Sequence, residues 1–346
     1  MTVSDIGVMV MSVPDITGHL ALAVPQVGQL LGGLNMRVFV TGASGWIGSA
    51  VAKELLDSGH EVVGLARSDA SAAAIVAAGA QAHRGSLDDL ESLRTGVAAS
   101  DGVIHLAFNH ELAFSGNFLG AAQLDRNALE VFADVLAGSD RPLVTASGTL
   151  GLSVDGVATE LDGHGPENQL VSHGEGPRLR QESAEYTLAL ASRNIRSSVV
   201  RLPPTNHGDG DNGFMATLVA IARAKGIAGY LGDGSNRWPA VHRLDSAHLF
   251  CLAVENAPAG STLHAVADEG VPFRDIAAVM SRHLNVPVDA IRADKAGEHF
   301  TWLAGFVGID SPVSSAFTRE LMDWEPTRPG LIADLDEGHY FTKTAV

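Results

Sequence analysis

Apolar and polar positions run along the first two-thirds of the chain in blocks whose period keeps changing. Arg37 to Thr41 is a short apolar run, Gly42 to Gly48 a glycine-rich turn, and Ser49 to Leu56 carries helical spacing. His60–Ala66 reads as a second strand, Ala70–Ala78 as a helix, Ala80–His83 as a short strand and Asp89–Val97 as a helix. Asp101–Ala107 is an apolar run bounded by polar turn residues, the mark of a buried strand. Leu119–Ala137 has helical spacing, Pro142–Ser147 is a fifth strand, Arg178–Arg193 a helix and Ile195–Leu202 a sixth strand. Strands alternating with helices in this way predict an α/β fold, a parallel sheet doubly wound by helices on both faces.

Pro203 and Pro204 close the sixth strand, since proline neither donates to a ladder nor continues a helix. Beyond them the pattern becomes mixed. Helices are expected at Phe214–Lys225, Asp245–Glu255, Phe273–His283, Lys295–Phe306 and Ser314–Asp323, with strands at Ala240–His242 and Thr262–Ala267. The division that follows is an N-terminal extension (1–35), a Rossmann-type nucleotide domain (36–205) and a smaller substrate lobe (206–346) that returns segments to the sheet. Residues 151–176, rich in Gly, Asp, His and Asn, form a long loop, and long loops in compact domains usually carry function.

Composition narrows the partners. The chain of 346 residues is 46% hydrophobic and 18% charged, with a formal net charge of −17, which argues against nucleic acid or an anionic membrane. A lone cysteine, Cys251, sits in an apolar run and reads as core; it fits a reducing cytoplasm and permits no thiol-rich metal site. The first 35 residues hold no Lys or Arg, so they lack the basic start of a secretory signal, and Met36 is a natural start.

The chemistry begins at the turn. A strand running straight into a helix aims the first free amides, and the positive end of the helix dipole, at one spot suited to a diphosphate. Gly42 lets the chain turn, Gly45 lets the ligand approach and Gly48 lets the helix lie against the strand. Ser44, Trp46 and Ile47 complete the cradle.

These residues, from about 36 to 325, resemble the extended or atypical short-chain dehydrogenases/reductases, the NAD(P)-dependent epimerase/dehydratase group. Thr41–Gly48, Gly85–Asp88, Asp101–Ala107, Ser147, Arg201–Pro204 and Gly232–Asp245 carry the resemblance by their order and spacing. It implies that Leu87 lies by the adenine and that Leu106, Ala107 and Pro203 line the cofactor. It also implies that Ser147 polarises a substrate carbonyl, with Thr149 as a stand-in. The group's usual Tyr-x-x-x-Lys pair is absent: Leu190, Gly234 and Thr344 stand four residues past Tyr186, Tyr230 and Tyr340. A substitute must protonate an alkoxide and hold the nicotinamide ribose. Arg180, near the start of the corresponding helix beside Arg178, can hold the ribose but stays protonated. His173, 26 residues past Ser147, can supply a proton near neutral pH.

Arg67 and Ser68 stand where enzymes that prefer NAD carry an acidic residue. A guanidinium beside a hydroxyl suits the 2′-phosphate of NADP, although a stacked arginine can serve NAD too. Arg237, His242 and Asp245 lie where sugar-nucleotide enzymes of the group hold a pyrophosphate, whereas Phe108, Phe114, Phe118 and His207 offer pocket walls for a mostly apolar small molecule. Three functions compete: an NADPH-dependent carbonyl reductase, a sugar-nucleotide epimerase or dehydratase, and an NADP sensor without hydride chemistry. The resemblance places any homodimer interface on the Leu119–Ala137 and Arg178–Arg193 helices. No metal is expected, because the histidines are scattered.

Overall fold

The structure is a computed structural model that describes residues 35–150, 152, 156–164 and 175–342. Everything below concerns the compact unit from Asn35 onward. β1 (Arg37–Thr41) leads through the glycine turn into α1 (Trp46–Asp57), followed by β2 (Glu61–Ala66), α2 (Asp69–Ala77), β3 (Gln81–Arg84) and α3 (Leu90–Ala98). The chain continues through β4 (Gly102–His105), α4 (His110–Phe114), α5 (Phe118–Leu136), β5 (Pro142–Gly148), α6 (Glu175–Ala189) and β6 (Arg196–Leu202). The remainder comprises β7 (Thr205–His207), α7 (Phe214–Lys225), β8 (Ala228–Leu231), β9 (Arg237–His242), α8 (Arg243–Asn256) and β10 (Ser261–His264). After it come β11 (Asp268–Pro272), α9 (Phe273–Leu284), β12 (Val288–Ile291), α10 (Ala296–Phe300), α11 (Ala316–Met322), α12 (Leu331–Asp336) and α13 (His339–Thr342).

Seven strands form one parallel sheet in the order β10-β6-β5-β4-β1-β2-β3. β10 is the seventh strand: it leaves the later part of the chain to pair with β6, Leu263 opposite Val200. Helices cover both faces, because the strands are apolar on both sides. Val38, Val40, Ile104 and Val144 pack against α1 and α8 on one face; Phe39, Val103 and Leu143 pack against α3 and α5 on the other. The chain moves outward from β1 through β2 to β3, then returns to β4 on the other side of β1. That reversal opens a crevice between the carboxyl ends of β1 and β4, where open α/β sheets bind ligands.

A second core, built around Trp238, Phe273 and Phe300, organises the later elements and the small sheets β11-β9-β7 and β12-β8. The expected helix over Lys295–Phe306 is broken: α10 ends at Phe300, and Thr301 turns to a φ of +54° before a short 3-10 segment. Among the described residues no helix is long and apolar enough to cross a membrane.

Candidate active site

The glycine turn occupies the crevice at the β1/β4 reversal. Gly42 has a φ of +73°, and a Cβ on it would lie 2.9 Å from the backbone nitrogen of Ala107. A Cβ on Gly48 would lie 2.0 Å from the carbonyl oxygen of Gly42, so only glycine lets α1 begin this close to the strand. The start of α1 is electrostatically bare. No side chain caps it and no acidic residue stands in its first turn, whereas α2, α3, α4 and α5 are capped by Ser68, Asp89, Asn109 and Asn117. The amides of Trp46, Ile47 and Gly48 therefore lack intrahelical acceptors, and the exposed Ser44 lies beside them. These groups fit the diphosphate of a dinucleotide. The Trp46 indole serves elsewhere: Nε1–H donates to the Asn206 carbonyl at 3.0 Å, and Arg243 lies 4.1 Å over the ring.

A hydrogen-bonded chain runs from this turn into the sheet. Thr41 Oγ1 accepts the amides of Leu106 and Ala107, each at 3.2 Å, which fixes the end of β4 against β1. With its lone pairs so used, the Thr41 hydroxyl donates to His105 Nδ1 at 2.7 Å, leaving His105 Nε2–H to donate to Asp125 Oδ1 at 3.2 Å. Arg180 completes the chain, donating to Asp125 Oδ1 at 2.9 Å and to the Ala146 carbonyl at 3.3 Å. Burial, the largest influence on Asp125, pushes its pKa up. The Arg180 charge and the His105 bond together outweigh burial and hold the carboxyl below its usual range. The Arg180 guanidinium also lies 4.0 Å over the Phe108 ring, which fixes its plane.

Arg180 and Ser147 open onto the same recess, a cavity of about 210 Å³ that suits a small molecule. Phe118 and Leu152 supply apolar wall, and the floor carries Arg201, paired in register with Ser147 across β6 and β5. Arg201 donates to the Asp162 carbonyl at 2.7 Å and to His264 Nε2 at 3.3 Å; His264 Nδ1–H in turn donates to the Ser314 carbonyl. Burial pushes His264 down from 6.5 to about 4. As pH falls through that window the unfolded chain takes up a proton that the native site refuses, so stability is lost between the two values. We expect the loss to be on the order of 2–3 kcal/mol. Urea midpoints near neutral pH and near pH 5 should show it, and His264→Gln should flatten the difference.

The adenosine end of the expected site is mixed. Arg67 is exposed just past β2 and has no ion-pair partner among the described residues, while neighbouring Asp69 is held by Arg84 at 2.8 Å. The Ser68 hydroxyl is occupied as the cap of α2, in a reciprocal box with Ser71. Leu87 is half-buried against the Phe39 core, and Pro203 is buried at the end of β6. His173 lies outside the described residues, as do the side-chain contacts of Phe114.

None of the three tyrosines lines the recess. Tyr186 carries Arg126 3.9 Å over its ring, Tyr230 packs in the second core, and Tyr340 donates to Asp211 at 3.0 Å. Burial raises the Tyr340 phenol further, so it holds its proton. His207 is no pocket wall: it is fully buried, with Nδ1 bonded to Asp334 at 2.9 Å. Arg237 is clamped by both Asp310 carboxylate oxygens, at 3.0 and 2.8 Å, and Asp245 accepts the amides of Thr327 and Arg328. His242 caps α8 through Leu244. Cys251 is buried, and burial pushes its thiol up to about 12. It lies near His60 and Glu255 in one of the two groups, among the described residues, close enough to share an ion. Both His60 nitrogens are already engaged, with the Met36 amide and Glu255.

His105 and Asp125 escape a motif search but leave a trace in the sequence. His105 interrupts an apolar strand, and Asp125 falls on the face of α5 shared with Ala121, Ala128 and Leu129. A charge on a buried helix face needs a partner, which is the available signal.

The model of the NAD dependent epimerase/dehydratase family matches residues 38–124. An uncharacterised protein of Schizosaccharomyces pombe is 44% identical over 307 residues, covering 88% of this chain and 100% of that one. This chain belongs to the NAD-dependent epimerase/dehydratase family, within the extended short-chain dehydrogenases/reductases. More distant relatives include the decarboxylating sterol-4-alpha-carboxylate 3-dehydrogenase of Dictyostelium discoideum, 27% identical over 68% of this chain and 73% of that one. The 2-alkyl-3-oxoalkanoate reductase of Stenotrophomonas maltophilia is 25% identical over 75% and 78%. The fold also matches dTDP-glucose 4,6-dehydratase of Streptomyces venezuelae with NAD bound, at a TM-score of 0.68 and 18% identity over 88% of this chain and 96% of that one. The family is NAD(P)-dependent, and its members include dehydrogenases and reductases.

Proposed function

We propose that the protein is an NADPH-dependent reductase of small carbonyl compounds. The observation that carries this reading is the juxtaposition of Ser147 and Arg180 on one recess, with Arg180 tied through Asp125, His105 and Thr41 to the bare glycine turn. When bound, the reduced nicotinamide supplies the hydride that goes to the carbonyl carbon. Ser147 donates a hydrogen bond to the carbonyl oxygen and stabilises the alkoxide that develops there. Arg180 would hold the nicotinamide ribose and keeps a fixed positive charge on the recess, but it does not release its proton. A proton on the oxygen then completes the alcohol. His173 is the sequence's choice for that proton, and it lies outside the described residues.

The engagement of Arg237 by Asp310 counts against the sugar-nucleotide reading. Two of the distant relatives are named for substrates that pair an oxidisable or reducible position 3 with a carboxylate, which supports a carbonyl compound of that kind. We also propose a homodimer that needs no nucleic acid or membrane, its stoichiometry testable by light scattering.

The choice of NADPH over NADH rests on Arg67, which is exposed and has no ion-pair partner among the described residues. Fluorescence titrations should show NADPH binding more tightly, and Arg67→Ala should weaken NADPH about 10- to 100-fold while changing NADH about twofold or less. Equal affinities that ignore the substitution would overturn the assignment. Purified protein that leaves NADPH unoxidised across a panel of aldehydes, ketones and oxo acids would overturn the reductase.

A further inference from the structure

The floor of the recess holds a positive charge that the hydride chemistry described above does not use. Arg201 is only 4% exposed, yet no carboxylate among the described residues stands within ion-pair distance of it. Its bonded partners are neutral, the Asp162 carbonyl and His264 Nε2. The His164 ring, 3.4 Å from the guanidinium, has Nε2–H turned to the Glu160 carbonyl at 3.0 Å. The nearby acids are committed elsewhere. The Glu160 carboxylate accepts the amide and hydroxyl of Thr318, and the Asp162 carboxylate accepts those of Thr159. Glu185 lies on the recess wall and acts on Arg201 only through space. Burial still outweighs the pull of the three acids and brings Arg201 down to about 10, so it stays charged at neutral pH in a site that favours an anion. A buried cation left without a counter-ion is costly, and a guanidinium presents paired donors that match a carboxylate.

We propose that Arg201 binds the carboxylate of the substrate, which makes the substrate an oxo acid whose keto oxygen rests on Ser147. Ser147 and Arg201 face each other in register on neighbouring strands, so one small molecule can reach both. This assignment rests on the reductase reading for the keto end and stands independently of it for the anionic end. Arg201 is thus a specificity-determining residue. The apolar walls at Phe118 and Leu152 then receive the substrate's hydrocarbon part.

The test compares charged and neutral twins on the full chain. 3-Oxooctanoate should be reduced by NADPH with a kcat/KM at least about 50-fold above that of its methyl ester, and Arg201→Gln should compress the ratio to about threefold or less. Arg201→Lys, which keeps the charge but loses the fork, should retain part of the preference. Calorimetric titration of the NADP-saturated protein with octanoate and octanamide provides a readout without turnover, and octanoate should bind at least about 20-fold more tightly. If the Arg201→Gln protein fails to fold, the comparison of octanoate with octanamide on the unmutated protein decides. Equal binding of the two, or equal turnover of acid and ester, overturns the proposal and leaves the reductase intact. Octanoate binding that depends on Arg201, with no NADPH oxidation across the panel of aldehydes, ketones and oxo acids, supports the anion site and overturns the reductase.

Discussion

Gly48→Ala protein is expected to lose dinucleotide binding, with affinity falling at least about 100-fold by fluorescence titration. The added methyl would lie 2.0 Å from the Gly42 carbonyl oxygen, and the obstacle is backbone, which cannot rotate aside. To admit it α1 must back away from the turn, and the amides of Trp46, Ile47 and Gly48 then no longer converge. Overpacking at such a contact should also cost about 1–3 kcal/mol of stability. Gly297→Ala is the matched control: it also lies in a helix, α10, but nothing stands within 4 Å of its would-be Cβ, so its affinity should not change and its unfolding midpoint should hold or rise slightly. Retained affinity in Gly48→Ala would refute the placement of the diphosphate at this turn.

The second large effect belongs to Asp125. It is 4% exposed and neutralises Arg180 while accepting from His105, so removing its charge leaves Arg180 facing Ala146 and Phe108 without a counter-ion. Breaking a buried pair by deleting one partner costs about 3–5 kcal/mol, and Asp125→Asn should lower the unfolding free energy by an amount of that order. The Asp125 pKa is depressed in the folded state, so its contribution is complete above the unfolded carboxylate value and is lost as pH falls through the folded one. The acid limb of the stability profile should therefore flatten in the variant. On the proposed chemistry kcat should fall about 100-fold with NADPH affinity changed about threefold or less, because the glycine turn remains. A variant with normal stability and turnover would show that the Thr41–His105–Asp125–Arg180 chain is incidental.

The two substitutions probe different kinds of information. The glycine turn was readable as a string, because strand, turn and helix are contiguous: Gly42 takes a φ of +73°, and Gly45 and Gly48 both face the Gly42 carbonyl oxygen. The six expected strands of the parallel sheet were readable for the same reason, since burial on both faces forces continuous apolar runs. The partnership of Asp125 with Arg180 spans 55 positions and was not readable. Only the packing of α5 against α6 brings the two together. Arg237 teaches the converse. Its position within a family motif suggested a ligand role, but Asp310, 73 positions away, takes both ends of its guanidinium. His207 likewise became a buried partner of Asp334, a residue 127 positions on.

What the chain determines by itself is the alternation of strand and helix, the turn that bares the start of α1, and the absence of a tyrosine–lysine pair. These depend on neighbours in sequence: steric limits at Gly42 and Gly48, apolar period, and residue identity four places past each tyrosine. Tertiary structure alone decided that β10 closes the sheet beside β6, that Ser147 and Arg201 share one recess, and which buried charges find partners. Charge pairing in a low-dielectric interior depends on distance in space, and a linear sequence does not specify that distance until the sheet has set its strand order.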